Sequence, residues 1–125
     1  KILVVYPHNF LQGLHGTNMN IYQLLKIFKK RNGIWSCVYE HPEKLEFVHS
    51  IWAGKIKDKH IAIIGHRKGE SRDLYGFIYD NGYHAELLDK DCGSTNVLVY
   101  SVGTQDYLVS ANREMNEVAF YELEV

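Results

Sequence analysis

Short apolar runs punctuate the chain and set its predicted elements. Ile2 to Tyr6 (ILVVY), Trp35 to Tyr39 (WSCVY), His60 to Ile64 (HIAII) and Val97 to Val102 (VLVYSV) read as strands, and the continuous HIAII run suits one buried on both faces. Between the first two, Ile21, Leu24, Leu25 and Phe28 recur at i, i+3, i+4 and i+7. That spacing predicts a helix from about Met19 to Arg31, capped by Thr17 or Asn18 and stopped at Gly33. Lys26, Lys29, Lys30 and Arg31 crowd its far end, where positive charge suits the helix dipole. Pro42-Glu43 opens a second predicted helix to about Ala53, with Leu45, Val48, His49 and Trp52 along its apolar side.

Strand, helix, strand, helix, strand predicts a parallel sheet with helices on its faces. The second half changes character. Leu74 to Asp80, then Asn81-Gly82, then Tyr83 to Leu88 is a hairpin pattern, because Asn-Gly supplies the positive-φ positions of a tight turn. A short helix around Asp106 to Met115 and an edge strand from Val118 to Val125 complete the reading. The predicted class is α/β, a three-layer sandwich. It has a mostly parallel central sheet of about four to five strands, flanking helices, a hairpin after the third strand and a C-terminal edge strand. One domain covers residues 1–125.

Composition narrows the partners. The apolar share of 46% and charged share of 23% are those of an ordinary globular chain. No run approaches the roughly 18 apolar residues of a membrane span. Fourteen basic and fifteen acidic residues leave a net charge of −1, so no global field recruits nucleic acid or membrane. A strand at the very start is read as leaving no room for a secretory leader, and the missing initiator Met as a processed start. Cys37 in an apolar run and Cys92 in DKDCGST sit in unlike settings, which points to a reducing, cytoplasmic compartment.

In a parallel sheet, chemistry gathers at the carboxyl ends of the strands. That edge would bring His8 and His15 from the first loop together with His66, Arg67 and Lys68 after the third strand, and Ser101 and Thr104 from the fourth. His66 as base and Ser101 as nucleophile form the predicted catalytic pair. His8, His15, Arg67, Lys68 and Thr104 form the predicted ligand shell. The competing reading has His66 bonded to loop backbone and Ser101 turned into the core. Gly65 to Ser71 could cradle a phosphate, although GxxxxGK[ST], GxGxxG and GxSxG are all absent. The spacing of His8 and His15 matches no ligand pattern, and no paired carboxylates accompany it, so no metal or cofactor is assigned.

The order of parts resembles the caspase-hemoglobinase fold, in particular its bacterial CHAT-type branch. LHGTNMNIYQLLKIFKKRNG is similar to that family's first loop and helix, and the Gly-His pair of IAIIGHRKGE to the pair supplying its catalytic histidine. LYGFIYDNGYHAELLD resembles the hairpin before its fourth strand. That strand should end at a catalytic cysteine, but here reads VLVYSVGTQ, with Ser101 and Val102 in its place. The resemblance therefore implies a catalytically degenerate relative acting as a regulatory or interaction module on a protein or peptide partner. A second resemblance is to small viral ring nucleases that cleave cyclic oligoadenylate. It implies a dimer in which His66 assists cleavage while Arg67 and Lys68 meet phosphate. A third is to the N-terminal lobe of a glycosyltransferase, carried by KILVVYPHNF and the helix pattern after it.

Overall fold

The structure, a computed structural model, describes residues 2–5 and 24–125. The described residues form ten strands and one short 3-10 turn, Arg113–Met115. The strands are β1 (Ile2–Val5), β2 (Lys26–Arg31), β3 (Ile34–Glu40), β4 (Glu46–Ile56), β5 (Lys59–Lys68), β6 (Leu74–Tyr79), β7 (Tyr83–Asp89), β8 (Ser94–Val102), β9 (Gln105–Asn112) and β10 (Glu117–Leu123). They make three sheets, ordered β1-β2-β3, β4-β5-β6-β7 and β10-β9-β8, in which every pairing is antiparallel.

This overturns the α/β sandwich. There is no parallel sheet among the described residues, and no α-helix flanks one. The caspase-like resemblance falls with it, because that fold needs both. The C-terminal part of the first predicted helix is strand β2, and its beginning lies outside the described residues. The second predicted helix is β4, and the third is β9 followed by the 3-10 turn.

Local chemistry explains the change. Asn32 and Gly33, read above as a helix stop, both have positive φ (49° and 80°). They close a two-residue hairpin between β2 and β3, a turn that needs positive φ at both central positions. In β4 the pairing register with β5 is shifted by a β-bulge between Val48 and Ser50, with Phe47 at φ 56°. The bulge sends Val48 to one face of the sheet and Ser50 to the other.

The central sheet is covered on both faces. Ala62, Ile64 and Phe77 join Leu25, Ile27, Leu45 and Val48 in a cluster against the first sheet. Ile61, Ile63 and Leu74 join Val97, Leu108 and Leu123 in a second cluster against the third. Alternate residues of β5 thus serve opposite layers, which is why the run reads as continuously apolar. The far face of the third sheet leaves Leu98, Val102, Val118 and Phe120 exposed.

A buried polar seam sits inside the contact between the central and third sheets. The carbonyl oxygen of Asn112 can only accept, so the Ser110 hydroxyl donates to it (2.6 Å). Ser94 then donates to Ser110 (2.7 Å), and Ser50 to Ser94 (2.9 Å). The Asn112 amide donates onward to Glu117 (3.2 Å) and to the Tyr121 hydroxyl (2.9 Å), which donates to Asp89 (2.6 Å). The hydrogens all point one way. Each buried hydroxyl thereby finds an acceptor.

Candidate functional site

Lys29 and Arg31 lie at alternate positions near the end of β2, with Ser36 and Val38 beside them on β3. The β6–β7 hairpin of the central sheet brings Tyr79, Asn81, Gly82 and Tyr83, and β5 brings His60. Together these residues line an open cleft of about 480 Å³ between the first and central sheets. The volume falls in the range of small-molecule sites.

The cleft has a definite electrostatic character. Among the described residues, two permanent cations and an imidazole line it, and no carboxylate does. The nearby Asp80 carboxylate is engaged by Lys59 at 3.1 Å. The Lys29 ammonium lies 5.4 Å from the Tyr79 ring centroid, a cation–π distance, and the Tyr79 and Tyr83 rings are 5.2 Å apart at 60°. Burial pushes the Tyr83 phenol up, helped by Tyr79 beside it, so it stays a neutral hydrogen-bonding group.

The residues singled out in the sequence are dispersed. His66, Arg67 and Lys68 occupy the end of β5, where chain neighbours must lie close, but they do not face one site. His66 is buried at 1% exposure. Its Nε2 accepts the Asp73 amide at 3.0 Å, and its Nδ1 lies 3.3 Å from the Lys68 carbonyl. Arg67 lies on the other side of the sheet, with Glu114 at 4.0 Å. Lys68 extends over the Phe47 ring at 4.8 Å.

Ser101 and Thr104 are at the opposite end of the third sheet. Gly65, next to His66, sits against Ser94, and Ser101 is seven residues further along β8, about 20 Å away at the strand rise. The Ser101 hydroxyl donates to Asp106, not to a histidine. Thr104 is exposed in the β8–β9 turn. His8 and His15 lie outside the described residues. Among the described residues no group of three or more His, Cys, Asp or Glu is placed to hold a metal.

Sequence reading missed the cleft because its cations were assigned to a helix end, away from the predicted hairpin that carries its tyrosines. The recoverable signal was the pair of hairpins. Asn32-Gly33 sets Lys29 and Arg31 on one strand of a ribbon, and Asn81-Gly82 sets Tyr79 and Tyr83 across another.

Compared with family models, curated proteins and solved structures, the chain matches none of them significantly. The caspase-like, ring-nuclease and glycosyltransferase-lobe functions were all read onto an α/β chain. The antiparallel architecture, with no matching relative behind any of them, removes that footing. No helix among the described residues is long and apolar enough to cross a membrane.

Proposed function

We propose that the chain is a ligand-binding β-module whose cleft receives a small anion carried on a planar apolar group. The observation that carries this is the convergence of Lys29 and Arg31 with the Tyr79–Tyr83 pair around one cleft that no carboxylate lines among the described residues. Arg31 offers a planar fork suited to a carboxylate or phosphate, and Lys29 a point charge. The tyrosine pair offers apolar surface with hydroxyls at its rim. Ser36 and Asn81 add neutral donors. His66, Arg67, Lys68, Ser101 and Thr104 take structural roles in this reading. The unpaired cysteines support a reducing compartment, with Cys37 exposed on the first sheet and Cys92 enclosed beside the third.

The test is calorimetric titration with phenyl phosphate and benzoate, each against its uncharged ester. Binding of the anions alone is expected, weakening as salt rises. Arg31→Gln should reduce affinity about tenfold, the scale of one charge-assisted hydrogen bond. Lys30→Gln should leave affinity unchanged, since Lys30 lies over Trp35 and does not line the cleft. Equal binding of ester and anion, or an indifferent Arg31→Gln, overturns the reading.

A further inference from the structure

The aromatic wall of the cleft continues deep into the molecule. From Lys29 it runs through Tyr79, Tyr83, Tyr39, Phe77, His41, Tyr75 and His66, with successive ring centroids 5.2 to 6.3 Å apart. These rings fill the seam between the first sheet and the central sheet. The chain segment at His41 is itself tied back to the first sheet, its amide donating to the Leu25 carbonyl at 2.9 Å. Two imidazoles are therefore built into the layer that holds the cleft together.

A second proton on either imidazole disturbs the contacts around it. The Nε2 of His66 is already an acceptor for the Asp73 amide, which fixes its hydrogen on Nδ1 toward Lys68. Protonating Nε2 would set one N–H against another and break the closure of the loop at residues 69–73. His41 is 4% exposed. Its Nδ1 pairs with the Tyr39 hydroxyl at 3.0 Å, while its Nε2 is buried with no hydrogen-bond partner among the described residues. An imidazolium there would carry an N–H with no acceptor.

The groups facing them do not reverse this. His41 meets Tyr39 from β3, Tyr75 and Phe77 from β6, Glu43 from its own loop and the His66 ring from β5. His66 meets Tyr75 from β6, Glu46 from β4, and Asp73 and Lys68 from its own connection. Burial outweighs the groups that favour charge, which are Glu43 at His41 and, at His66, the Lys68 and Glu46 carbonyls with the Asp73 and Glu46 carboxylates, so both imidazoles are held below the ordinary histidine value.

We propose that acidification separates the first sheet from the central sheet through His41 and His66, taking apart the cleft between them. Its consequence for a ligand rests on the cleft reading above; the separation of the sheets does not. The sign follows from which state binds protons more readily. The opened state, with ordinary imidazoles, takes up protons below about pH 6.5, while the closed state resists until a lower pH. Closure is complete above that value and is lost as pH falls toward the lowered values. From pH 7.5 to 5.5 the opening constant rises up to about tenfold per histidine, or about a hundredfold for both.

Native-state hydrogen exchange of the full chain at pH 7.5 and 5.5, corrected for intrinsic rates, reads this directly. Ile27 and Tyr39 amides should lose up to about a hundredfold protection, while Leu108 in the third sheet keeps its own. His41→Phe/His66→Gln should flatten the pH dependence, because Gln retains an acceptor for Asp73 and Phe fills the aromatic layer. If the double variant does not fold, His41→Phe alone should remove about one tenfold step. Unchanged protection of Ile27 and Tyr39, or equal loss at Leu108, overturns the proposal. Phenyl phosphate binding at pH 7.5 separates the two ideas. Binding with flat exchange sinks the acid release alone, whereas no binding with the expected exchange sinks the cleft reading alone.

Discussion

Replacing Gly65 by alanine tests how tightly the central and third sheets are closed on each other. Gly65 has no positive φ, so space and not backbone conformation decides the outcome. An added Cβ would lie 2.3 Å from the Ser50 hydroxyl oxygen and 2.7 Å from the Ser94 Cβ. Ser50 is only 2% exposed and donates to Ser94, so moving it aside strands a buried hydroxyl. Overpacking costs about 1–3 kcal/mol, and a lost buried partner about 1–3 kcal/mol more. The lower entropy of an unfolded alanine returns roughly 0.4–1 kcal/mol. The net expectation is a loss of about 1–5 kcal/mol, centred near 3 kcal/mol. At a urea slope of roughly 2 kcal/mol/M, the central value lowers the midpoint by about 1–2 M.

Urea unfolding followed by the fluorescence of Trp52, which packs against the same core, measures this. Ser50→Ala removes the nearest clashing atom but leaves Ser94, so in that background the cost of Gly65→Ala should shrink without vanishing. Gly76→Ala is the control. Its added Cβ would meet Leu88 at an ordinary 3.6 Å beside an apolar gap of about 40 Å³. It should stabilise by about 0.4–1 kcal/mol. A Gly65→Ala midpoint equal to wild type, or equal to that of Gly76→Ala, would refute the packing described.

The one-way hydrogen-bond chain makes its members unequal. Ser50 begins it, so Ser50→Ala should cost about 1 kcal/mol, whereas Ser110→Ala strands both the Ser94 donor and the Asn112 acceptor and should cost about 2–4 kcal/mol by the same urea assay. Equal midpoints for the two variants would show that the hydrogens are not ordered this way. The cysteines should also divide. Iodoacetamide at pH 8 should alkylate exposed Cys37 in the native protein and spare Cys92, which is enclosed and whose thiol burial pushes up to about 11, with Asp89 adding to the effect. Mass spectrometry should then find one adduct before unfolding and two after it, and native labelling of Cys92 at a similar rate would contradict the burial.

Seven of the ten strands were legible without coordinates. The Leu74 to Leu88 hairpin was readable because Asn81-Gly82 sits between runs of strand-forming residues, and β8 and β10 because their apolar residues cluster. The helices were misread for three separate reasons. Leu25 and Phe28 match a helical stripe, yet Leu25 and Ile27 are the pair that turns inward. In β4 the buried positions include Ser50, which a hydrophobicity pattern skips, and the bulge before it moves the inward positions from one face of the sheet to the other. Asn32-Gly33 carries the same turn chemistry as Asn81-Gly82 but was subordinated to the helix before it. Once helices were assumed, strand ends were gathered on one edge, and His66 and Ser101 became neighbours that antiparallel strands hold apart. The cleft depends on two hairpins meeting across layers, which no local pattern encodes.

The order of strand pairing has a consequence during synthesis. In the central and third sheets each strand bonds only to its neighbours along the chain, through short connections such as Lys57-Asp58 and Gly103-Thr104. Such hairpins form without closing long loops and do not wait for distant partners. A nascent chain that has emerged only as far as Asp89 already holds all four strands of the central sheet. Ile61, Ile63 and Leu74 must then wait, uncovered, until Val97 and Leu108 arrive from later strands. That interval, with a finished sheet showing one greasy face to its surroundings, is when this protein is most open to sticking to the wrong neighbour.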